Sequence, residues 1–454
     1  MFKGQNWQRL FNYTESLGVI LTICLLPIDR FPYLHHVPFK LGAISFGLLA
    51  LAAATRCLQV ISTKRWDELK RVALIGFLLI LPVAGYAQSI HYAIDRPLAT
   101  GATKLLLVVA LKAWFFFILL SANPALWQRV KRTVYAVTAI IVAFGFFQFI
   151  FDVLGASPAT TDLRACCTSN STYVFPRVHS VSIEPLYFAN FLLLPIWLMV
   201  SDFACYKKTR QNKLLILLFI ATATLFVLSL ARSAILGLVV SLIVFAAGIG
   251  VKGLSRSLSY FAKLAGGAVM VALVFVIASG VASHYIHKSA INGSNSGVKG
   301  NVAIFSSHAV ALADQSAQTR YSTWPKAWDY IKENPIKGVG AYNSRVRLNL
   351  AQYRTGTPDT QLQPFNNDLL GLLVDLGLIG ILVFGPVIIA VFVSLIKSFR
   401  KRWLVPSAPY VLAAIAMLIQ TNFFQSILLA RLWVVVGIAL AGLYAPASKK
   451  SSTQ

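Results

Sequence analysis

The sequence predicts an all-α polytopic membrane protein with about twelve transmembrane helices and a large helical external loop before the tenth. Of its 454 residues, 57% are apolar and only 12% are charged, whereas soluble domains carry about 25% charged residues. Long uncharged apolar runs recur, for example at 72–92, 214–230 and 377–396. Each run approaches the ~20 residues that a helix needs to cross the hydrocarbon core, whereas a transmembrane barrel would show short alternating segments.

The apolar runs follow one another along the chain and predict a single integral membrane domain over residues 1–454. Pro27 and Asp29 interrupt the first span, and a tight turn at Arg232 joins the seventh span to the eighth. The basic N-terminal segment has no small-residue cleavage site after it, which indicates a retained span rather than a signal peptide. The predicted spans are 16–34, 41–61, 72–92, 104–122, 133–153, 185–205, 214–231, 233–251, 264–284, 369–396, 408–425 and 428–446.

Basic residues orient these spans. If the N-terminus is cytoplasmic, the cytoplasmic segments hold 22 lysine and arginine residues, whereas the short external loops hold six. This bias fits the positive-inside rule and predicts that both termini are cytoplasmic. Because topology accounts for most of the formal net charge of +26, no nucleic-acid partner is expected. The six external residues are Arg30, Lys40, Arg96, Lys104, Arg232 and Arg431.

Two predicted external loops are much longer than the other connections, at about 154–184 and 285–368. Loops beyond about 12–15 residues are usually functional or disordered. The larger loop begins with a Gly/Ser-rich segment. The pattern that follows predicts an amphipathic helix that packs over the external mouth and ends before Pro335. The apolar residues at helical spacing are Tyr321, Trp324, Trp328 and Ile331.

The larger loop is strongly basic, since residues 285–367 hold nine lysine and arginine residues against four acidic ones. Long loops cross the membrane largely regardless of charge, so the excess indicates an anionic ligand rather than an orientation signal. Arginine suits phosphate because its planar fork bonds two oxygens at once. We expect two or three of the nine to contact a substrate; they are Lys288, Lys299, Arg320, Lys326, Lys332, Lys337, Arg345, Arg347 and Arg354.

Charged residues at the ends of spans are further candidates, because they are costly at membrane depth. Arg232 lies between two apolar runs with no acidic neighbour in sequence, and its alternative role is snorkelling to the headgroups. Arg177, His179 and Glu184 come just before a span that begins at Pro185. Glu184 either caps that helix or acts as a base facing the external cavity.

Neither a metal site nor a cofactor is expected. His284 and His287 have i, i+3 spacing, but no further cluster of His, Asp or Glu accompanies them. The sequence contains no Walker loop, no GxGxxG after a strand and no catalytic serine elbow.

Four motifs in this order resemble the O-antigen ligase and polymerase superfamily of bacterial envelope glycosyltransferases. The first runs from Arg177 to Pro185, and the second is LARSAILG around Arg232. The third runs from Arg320 to Asn343 and is similar to an R…W…P-x-x-G-x-G pattern. The fourth, NNDLLGLLVDLGLIG from Asn366 to Gly380, is similar to HN-x-x-L-x-x-x-x-E-x-G-x-x-G.

The resemblance implies a metal-independent glycosyltransferase of the bacterial inner membrane that works at the periplasmic face. Its donor would be a glycan linked to undecaprenyl diphosphate, and its acceptor another glycan or lipid A core, with membrane lipids and a regulator of chain length as further partners. Arg232 and Arg320 would bind the donor's diphosphate. The catalytic candidates are Glu184, Arg232, Arg320 and His179, and the substrate-binding candidates are Arg177, Arg232, Arg320, Arg345, Arg347, Asn366 and Asn367.

One departure from the family pattern bears on the reaction. Ligase members have a histidine where this chain has Asn366, and an asparagine does not act as a general base. The base is then Glu184, His179 or His308, or positioning alone suffices. The departure favours a polymerase of lipid-linked glycan repeats over a ligase that transfers glycan to lipid A core. A flippase or transporter without enzymatic activity is the other alternative. Such proteins carry charges at mid-span, whereas the predicted spans of this chain are nearly free of charge there, with Lys112 and Asp375 as the main exceptions.

Overall fold

The computed structural model describes residues 4–28, 37–153, 178–182, 184–205, 212–249, 262–278, 322–356, 365–400, 405–423 and 427–444. Within these ranges the chain is helical and contains no strand, so the predicted all-α class is confirmed. The helices are α1 Gly4–Leu25, α2 Val37–Ser62, α3 Trp66–Ser89, α4 Arg96–Ala122, α5 Ala125–Val153, α6 Pro185–Cys205, α7 Lys213–Leu228, α8 Arg232–Ile249, α9 Ala262–Ala278, α10 Thr323–Glu333, α11 Ser344–Leu348, α12 Leu350–Arg354, α13 Asp368–Leu376, α14 Leu378–Arg400, α15 Ala408–Gln420 and α16 Ala430–Ala441.

Six of these helices, α2 to α6 and α14, are long and apolar enough to cross a membrane. Six shorter apolar helices, α1, α7, α8, α9, α15 and α16, occupy the positions of the remaining predicted spans. The count of twelve spans, the single domain and the placement of the two long loops stay predictions.

Two predicted spans differ from the observed helices. The first span was expected at 16–34, but α1 ends at Leu25, because Pro27 cannot continue the helical hydrogen-bond pattern. The tenth span was expected as one helix over 369–396. It is divided into α13 and α14 by Gly377, whose φ is +58°, a conformation that glycine adopts at little cost.

The core of the bundle is formed by α4, α6, α15 and α16. In the window Pro185–Ala204, 89% of residues are buried inside the protein, against 22% for Lys40–Ser62. The rim helices therefore turn large apolar side chains outward, as expected where lipid replaces protein as the neighbour. These side chains include Leu58, Phe77, Leu217, Ile243 and Leu382.

The helix predicted in the large loop is observed as α10, which ends at Glu333, before Pro335. Its position over the external mouth stays a prediction. It packs through Ala327 and Ile331 against a small cluster formed by Val339, Phe365 and Val374. Trp328 was expected on the packed face, but 52% of it is exposed. The small Ala327 lets the helix approach the cluster, and this turns Trp328 away from it.

Residues 335–344, the connection from α10 to α11, form the central loop of one face of the bundle. We call it the outer face because the sequence predicts that this side is external. Its backbone pairs with the break between α13 and α14 on one side, since Leu378 N–H donates to Pro335 O at 2.8 Å and Val339 N–H to Val374 O at 2.9 Å. On the other side it meets the turn between α3 and α4, where Ile94 N–H donates to Val339 O at 3.3 Å. The 335–344 loop is thus fixed between two pairs of helices.

Two glycines allow this close approach. Gly338 and Gly340 have φ of +68° and +103°, which a residue with a Cβ adopts only with strain. A Cβ on Gly338 would lie 2.4 Å from the carbonyl carbon and oxygen of Asp375, and one on Gly340 would lie 2.5 Å from Ala93. The G-x-G spacing is explained by these two close contacts, because Gly338 meets α13 on one side of the loop and Gly340 meets the turn before α4 on the other.

We predict that Gly338→Ala lowers the free energy of unfolding by clearly more than the roughly 1–2 kcal/mol that left-handed backbone alone costs. The excess arises from the contact with the Asp375 backbone. Gly356→Ala is the matched control, because Gly356 has φ +86° but no atom within 4 Å of the added Cβ. Thermal unfolding of the purified proteins in detergent measures both, and equal losses would contradict the packing argument.

Candidate functional site

The outer ends of α6, α8 and α15 meet beneath the 335–344 loop. Asn190 Nδ2 donates to Gln420 Oε1 at 2.9 Å, and Gln420 Nε2 donates to Leu186 O at 3.1 Å. The start of α6 therefore lies beside the end of α15. The 3₁₀ turn Thr421–Phe423 that follows α15 packs on α13, which brings the fourth sequence motif to the same end of the bundle.

Arg232, the first residue of α8, lies at this end as well. Trp197 Nε1 donates to Ser241 Oγ at 3.0 Å. Together with the contacts of Asn190 with Gln420 and of Gly237 with Ala416, this bond places α6 and α8 parallel to each other and antiparallel to α15. A Cβ on Gly237 would lie 2.4 Å from Ala416 O, which fixes the register of α8 on α15. Arg232 precedes Gly237 by five residues, and Gln420 follows Ala416 by four. Arg232 is therefore level with Gln420, and its side chain is half-buried.

The predicted tight turn before Arg232 is confirmed. Helix α7 ends at Leu228 and α8 begins at Arg232, and Leu230 between them has φ +53°. Ser233, next to Arg232, has a buried hydroxyl with no hydrogen-bond partner among the described residues. Asn190 Oδ1 is likewise buried without a partner in the described part of the chain. A buried polar atom without a protein partner is costly and is explained by a bound water, ion or ligand, or by strain.

Glu184 stands at the start of α6, since its carbonyl accepts the N–H groups of Tyr187 and Phe188 at 3.1 and 3.2 Å. The predicted start of this helix at Pro185 is confirmed. The Glu184 side chain is half-buried and lies at the positive end of the helix dipole. This position is compatible with both roles predicted for Glu184, helix capping and proton transfer.

His179 is held inside the protein. Its Nε2 lies 3.0 Å from Gln148 Nε2 and its Nδ1 lies 2.9 Å from Ser182 O, so both ring nitrogens have protein partners. Gln148 Oε1 also accepts the N–H groups of His179 and Ser180. With 4% of its surface exposed, His179 is placed as a structural residue, and its catalytic role stays a prediction.

Arg345 and Arg347 follow the 335–344 loop on α11 and differ in surroundings. The Arg345 guanidinium lies 4.8 Å from the centre of the Tyr342 ring. Arg347 stacks at 4.7 Å on Tyr330 and forms an ion pair with Glu333, both on or beside α10. Arg347 thus ties α10 to α11, whereas Arg345 lies beside an aromatic ring that lines a cavity.

That cavity, of about 390 Å³, is bounded by Tyr187, Tyr342, the start of α4 and residues 427–429. Most of its wall is apolar, including Leu98 and Leu105 of α4. Leu105 also forms part of the outward face of α4. The cavity therefore extends from Tyr187 and Tyr342 to the outward face of α4.

Arg431 is a buried cation at this cavity that the sequence interpretation counted only as an external basic residue. It is 2% exposed, and its Nη1 donates to Tyr187 O at 2.6 Å while the guanidinium lies 5.7 Å from the Tyr187 ring centre. A signal was present in the sequence: both Arg232 and Arg431 follow Leu-Ala at the start of an apolar run. Arginine in that position marks the outer start of α8 and of α16.

Asn366 and Asn367 come immediately before α13. Asn367 caps the helix, since its Oδ1 accepts the Leu370 N–H at 2.9 Å, a role for which asparagine is well suited. Asn366 is half-buried. The structure therefore gives Asn367 a structural task and leaves substrate contact at Asn366 as a prediction.

Asp375 is the anchor of the site. Its Oδ1 accepts the Ser344 N–H at 2.6 Å and its Oδ2 accepts the Tyr342 N–H at 3.0 Å. The sequence interpretation counted Asp375 as a mid-span charge, but it lies at the end of α13, where the span is broken. Its carboxylate holds the residues that carry Tyr342 and Arg345.

Asn343 completes the attachment of the loop. Its Oδ1 accepts the Asp95 N–H at 2.6 Å, and its Nδ2 donates to Ala341 O at 2.8 Å. Tyr353 of α12 donates to the Asp95 carboxylate at 2.9 Å. Side chains thus fix the loop to α4 as firmly as backbone pairing fixes it to α13.

Some predicted site residues lie outside the described residues: Arg177, Arg320 and the alternative base His308. Of the others, the structure brings Glu184, Arg232, Asn366 and Arg345 to one end of the bundle, and it gives His179, Arg347 and Asn367 protein partners. Among the described residues there is no group of three or more His, Cys, Asp or Glu side chains that could hold a metal ion.

Residues 217–385 match the family model described as O-antigen ligase. This match confirms the resemblance to the O-antigen ligase and polymerase superfamily that the four motifs indicate. It covers the second, third and fourth motifs and more than a third of the chain. No curated protein was found to match.

We predict that Asp375→Asn destabilises the protein by about 1.5–3 kcal/mol, the range for one hydrogen bond to a charged group. The amide replaces an acceptor oxygen by a donor, which then faces a backbone N–H. Asp329→Asn is the matched control, because 69% of that side chain is exposed and its ion pair with Lys332 is at 4.0 Å, where such pairs contribute little. Thermal unfolding in detergent decides, and similar midpoints for the two variants would remove Asp375 as the anchor.

Proposed function

We propose, because residues 217–385 match the O-antigen ligase family model, that this protein transfers a glycan from a lipid diphosphate to an acceptor hydroxyl at the periplasmic face of the bacterial inner membrane. The single observation that carries this proposal is the convergence of Arg232, Arg345 and Glu184 at one end of the bundle, next to a cavity that reaches the lipid side. An amphiphilic substrate with an anionic centre fits such a site.

The role of the arginine side chains in this proposal is to bind the diphosphate of the donor. When the bond between the anomeric carbon and the diphosphate oxygen breaks, the leaving group takes both electrons and gains negative charge. Guanidinium groups fixed in advance at that position stabilise the transition state more than the ground state. Arg232 has the location for this task, and we assign Arg320 and Arg177 to the same diphosphate on the basis of the family resemblance.

The acceptor completes the reaction. Its hydroxyl oxygen attacks the anomeric carbon from the face opposite the leaving group and loses its proton. Glu184 is our candidate for the base, because it is half-buried and stands at the same end as Arg232. Holding donor and acceptor together supplies much of the remaining rate enhancement. Undecaprenyl diphosphate is our proposal for the leaving group, and the 390 Å³ cavity suits the part of the lipid nearest the phosphates.

Between the two related reactions, we favour polymerisation, in which the acceptor is a second lipid-linked glycan repeat. Asn366 stands where ligase members carry a histidine, and Asn367 is committed to capping α13. The alternative is a ligase with lipid A core as acceptor. A partner that regulates chain length belongs to the polymerase proposal, and both termini are proposed to be cytoplasmic.

A flippase or transporter would use charges within the spans, and one observation bears on that alternative. Asp375, one of the two mid-span charges expected from sequence, lies at a helix end, and each of its carboxylate oxygens accepts a backbone N–H. The other, Lys112, remains within α4. The ion pair of Lys131 with Asp202, at 3.0 Å, joins α5 to α6 and is completed by Tyr135, as a structural network would be.

We predict that Arg232→Ala lowers glycan transfer by about 100-fold or more, the scale for losing one preorganised donor to a developing anion. Arg232→Lys keeps the charge but loses the two-oxygen fork, so it restores only part of the activity. Arg354→Ala is the control, because it removes the same charge from an exposed position of α12. Purified protein in nanodiscs with a lipid-diphosphate-linked glycan provides the assay, and normal turnover by Arg232→Ala would remove this arginine from the site.

A second prediction separates the acceptors. With the lipid-linked glycan repeat as the only substrate, a polymerase produces a ladder of longer glycans on a gel, and Arg232→Ala does not. If no ladder forms but the glycan appears on added lipid A core, the ligase alternative is correct. If neither product forms while the substrate crosses the bilayer, the chain is a transporter.

A further inference from the structure

A second cavity, of about 240 Å³, lies between α2, α3 and α4 at the end of the bundle opposite the candidate site. Tyr444, which follows α16, closes one side of it. The glycosyl-transfer reaction uses none of its lining. Much of the wall is apolar, and Arg56, Glu68 and Arg71 add charged groups to it, beside Ser121 and the rings of Phe117 and Tyr444.

Arg56 is the deepest charge in this wall. Its Nη2 lies 3.1 Å from Glu15 Oε2, and Glu15 is 0% exposed. Asn123 donates to the same oxygen at 3.1 Å, and Arg56 Nη1 donates to Gln59 at 3.0 Å. Arg56 Nε, however, is buried with no hydrogen-bond partner among the described residues. A buried N–H without an acceptor is costly, and an oxygen bound in the cavity would remove that cost.

Arg71 and Glu68 stand on α3 and carry opposite charges. The Arg71 guanidinium lies 5.1 Å from the centre of the Tyr444 ring, and stacking of this kind leaves the edge of the group available to an oxyanion. Glu68 Oε1 accepts from Arg65 at 3.0 Å. The cavity wall thus carries two guanidinium groups, one paired with Glu15 and one stacked on Tyr444, and a carboxylate that Arg65 engages through Oε1. This mixture of charges suits a zwitterion better than a simple anion.

The residues around the cavity indicate that it lies at the depth of lipid headgroups. Arg56 comes six residues before the end of α2 at Ser62, which is about 9 Å at 1.5 Å per residue. Leu58 and Ile61 on α2 are exposed on the outside of the bundle, as is Trp66 at the start of α3. An exposed tryptophan beside outward leucine and isoleucine is typical of the boundary between headgroups and acyl chains.

We propose that this cavity binds the phosphoethanolamine headgroup of a membrane phospholipid, with the phosphate on Arg56 and Arg71 and the ammonium group on Glu68. The acyl chains extend along the outward face of α2. A phosphoglycerol headgroup places no cation at Glu68, and a choline headgroup has no N–H to donate to its carboxylate. The bound lipid joins α2, α3 and α4 at the end of the bundle where Glu15 also ties α1 to α2. This proposal is independent of the glycosyl-transfer reaction.

The test is native mass spectrometry of the delipidated full-length protein with an equimolar mixture of phosphatidylethanolamine, phosphatidylglycerol and phosphatidylcholine of identical acyl chains. We expect phosphatidylethanolamine to be bound in several-fold excess. Arg71→Gln should weaken its binding about tenfold, as loss of one charged hydrogen bond implies. Glu68→Gln should reduce the preference for ethanolamine. Lys70→Gln is the matched control, because this exposed neighbour carries the same charge outside the cavity wall.

Four outcomes would overturn the proposal. They are equal binding of the three lipids, equal effects of Arg71→Gln and Lys70→Gln, unchanged binding after Ser121→Phe fills the cavity, and complete displacement by free glycerophosphoethanolamine at equal concentration. The last would assign the cavity to a soluble phosphate ester instead of a lipid. Thermal unfolding of each variant without added lipid verifies that the protein is folded, so that lost binding reports on the cavity.

Discussion

Hydrogen bonds between the 335–344 loop and the break separating α13 from α14 hold together the part of the outer face that α3, α4, α13 and α14 form. Asp375 accepts the N–H groups of Tyr342 and Ser344, while Leu378 and Ile379 donate to Pro335 and Ile336. Because the same loop is bonded to Asp95 through Asn343, the outer ends of α3, α4, α13 and α14 cannot move independently. The positions of Arg345 and of the cavity-lining Tyr342 depend on this one set of contacts, because Tyr342 is part of the loop and Arg345 is the first residue after it.

Much of this arrangement could be predicted from the sequence, and the failures have physical causes. Apolar runs located the helices, because lipid requires every backbone group to be bonded within its own segment. The same runs did not show that Gly377 divides the tenth span. The left-handed conformation of Gly377, and the 335–344 loop that accepts the hydrogen bonds of the next two residues, become visible only in the structure. The helix α10 followed from its spacing, but its packed face did not: Ala327 allows a closer approach than Trp328, and hydrophobicity alone ranks them in the opposite order.

The candidate site shows a similar division. Arg232 and Glu184 stood out because charges beside apolar runs are costly, and both lie at the outer end of the bundle. His179 stood out for its chemistry, yet its ring is engaged by Gln148 and Ser182, and no sequence pattern could reveal those partners. Arg431 was passed over because positive charge at a loop was sufficient to explain it, whereas its burial against Tyr187 places it at the cavity.

The bonds at the start of α14 also restrict how an anion can be held there. A helix normally begins with several N–H groups that have no partner in the helix, and such groups commonly bind phosphate. Here the amides of Leu378 and Ile379 already donate to the carbonyls of Pro335 and Ile336, so the first turn of this helix has less to offer a diphosphate. If a diphosphate binds at this end as proposed, its recognition depends more on side chains with their own fixed charge, and its strength should depend on ionic strength and on the choice of arginine over lysine. A chain that closes its helix terminus with a loop therefore needs its arginines more than one that leaves it open.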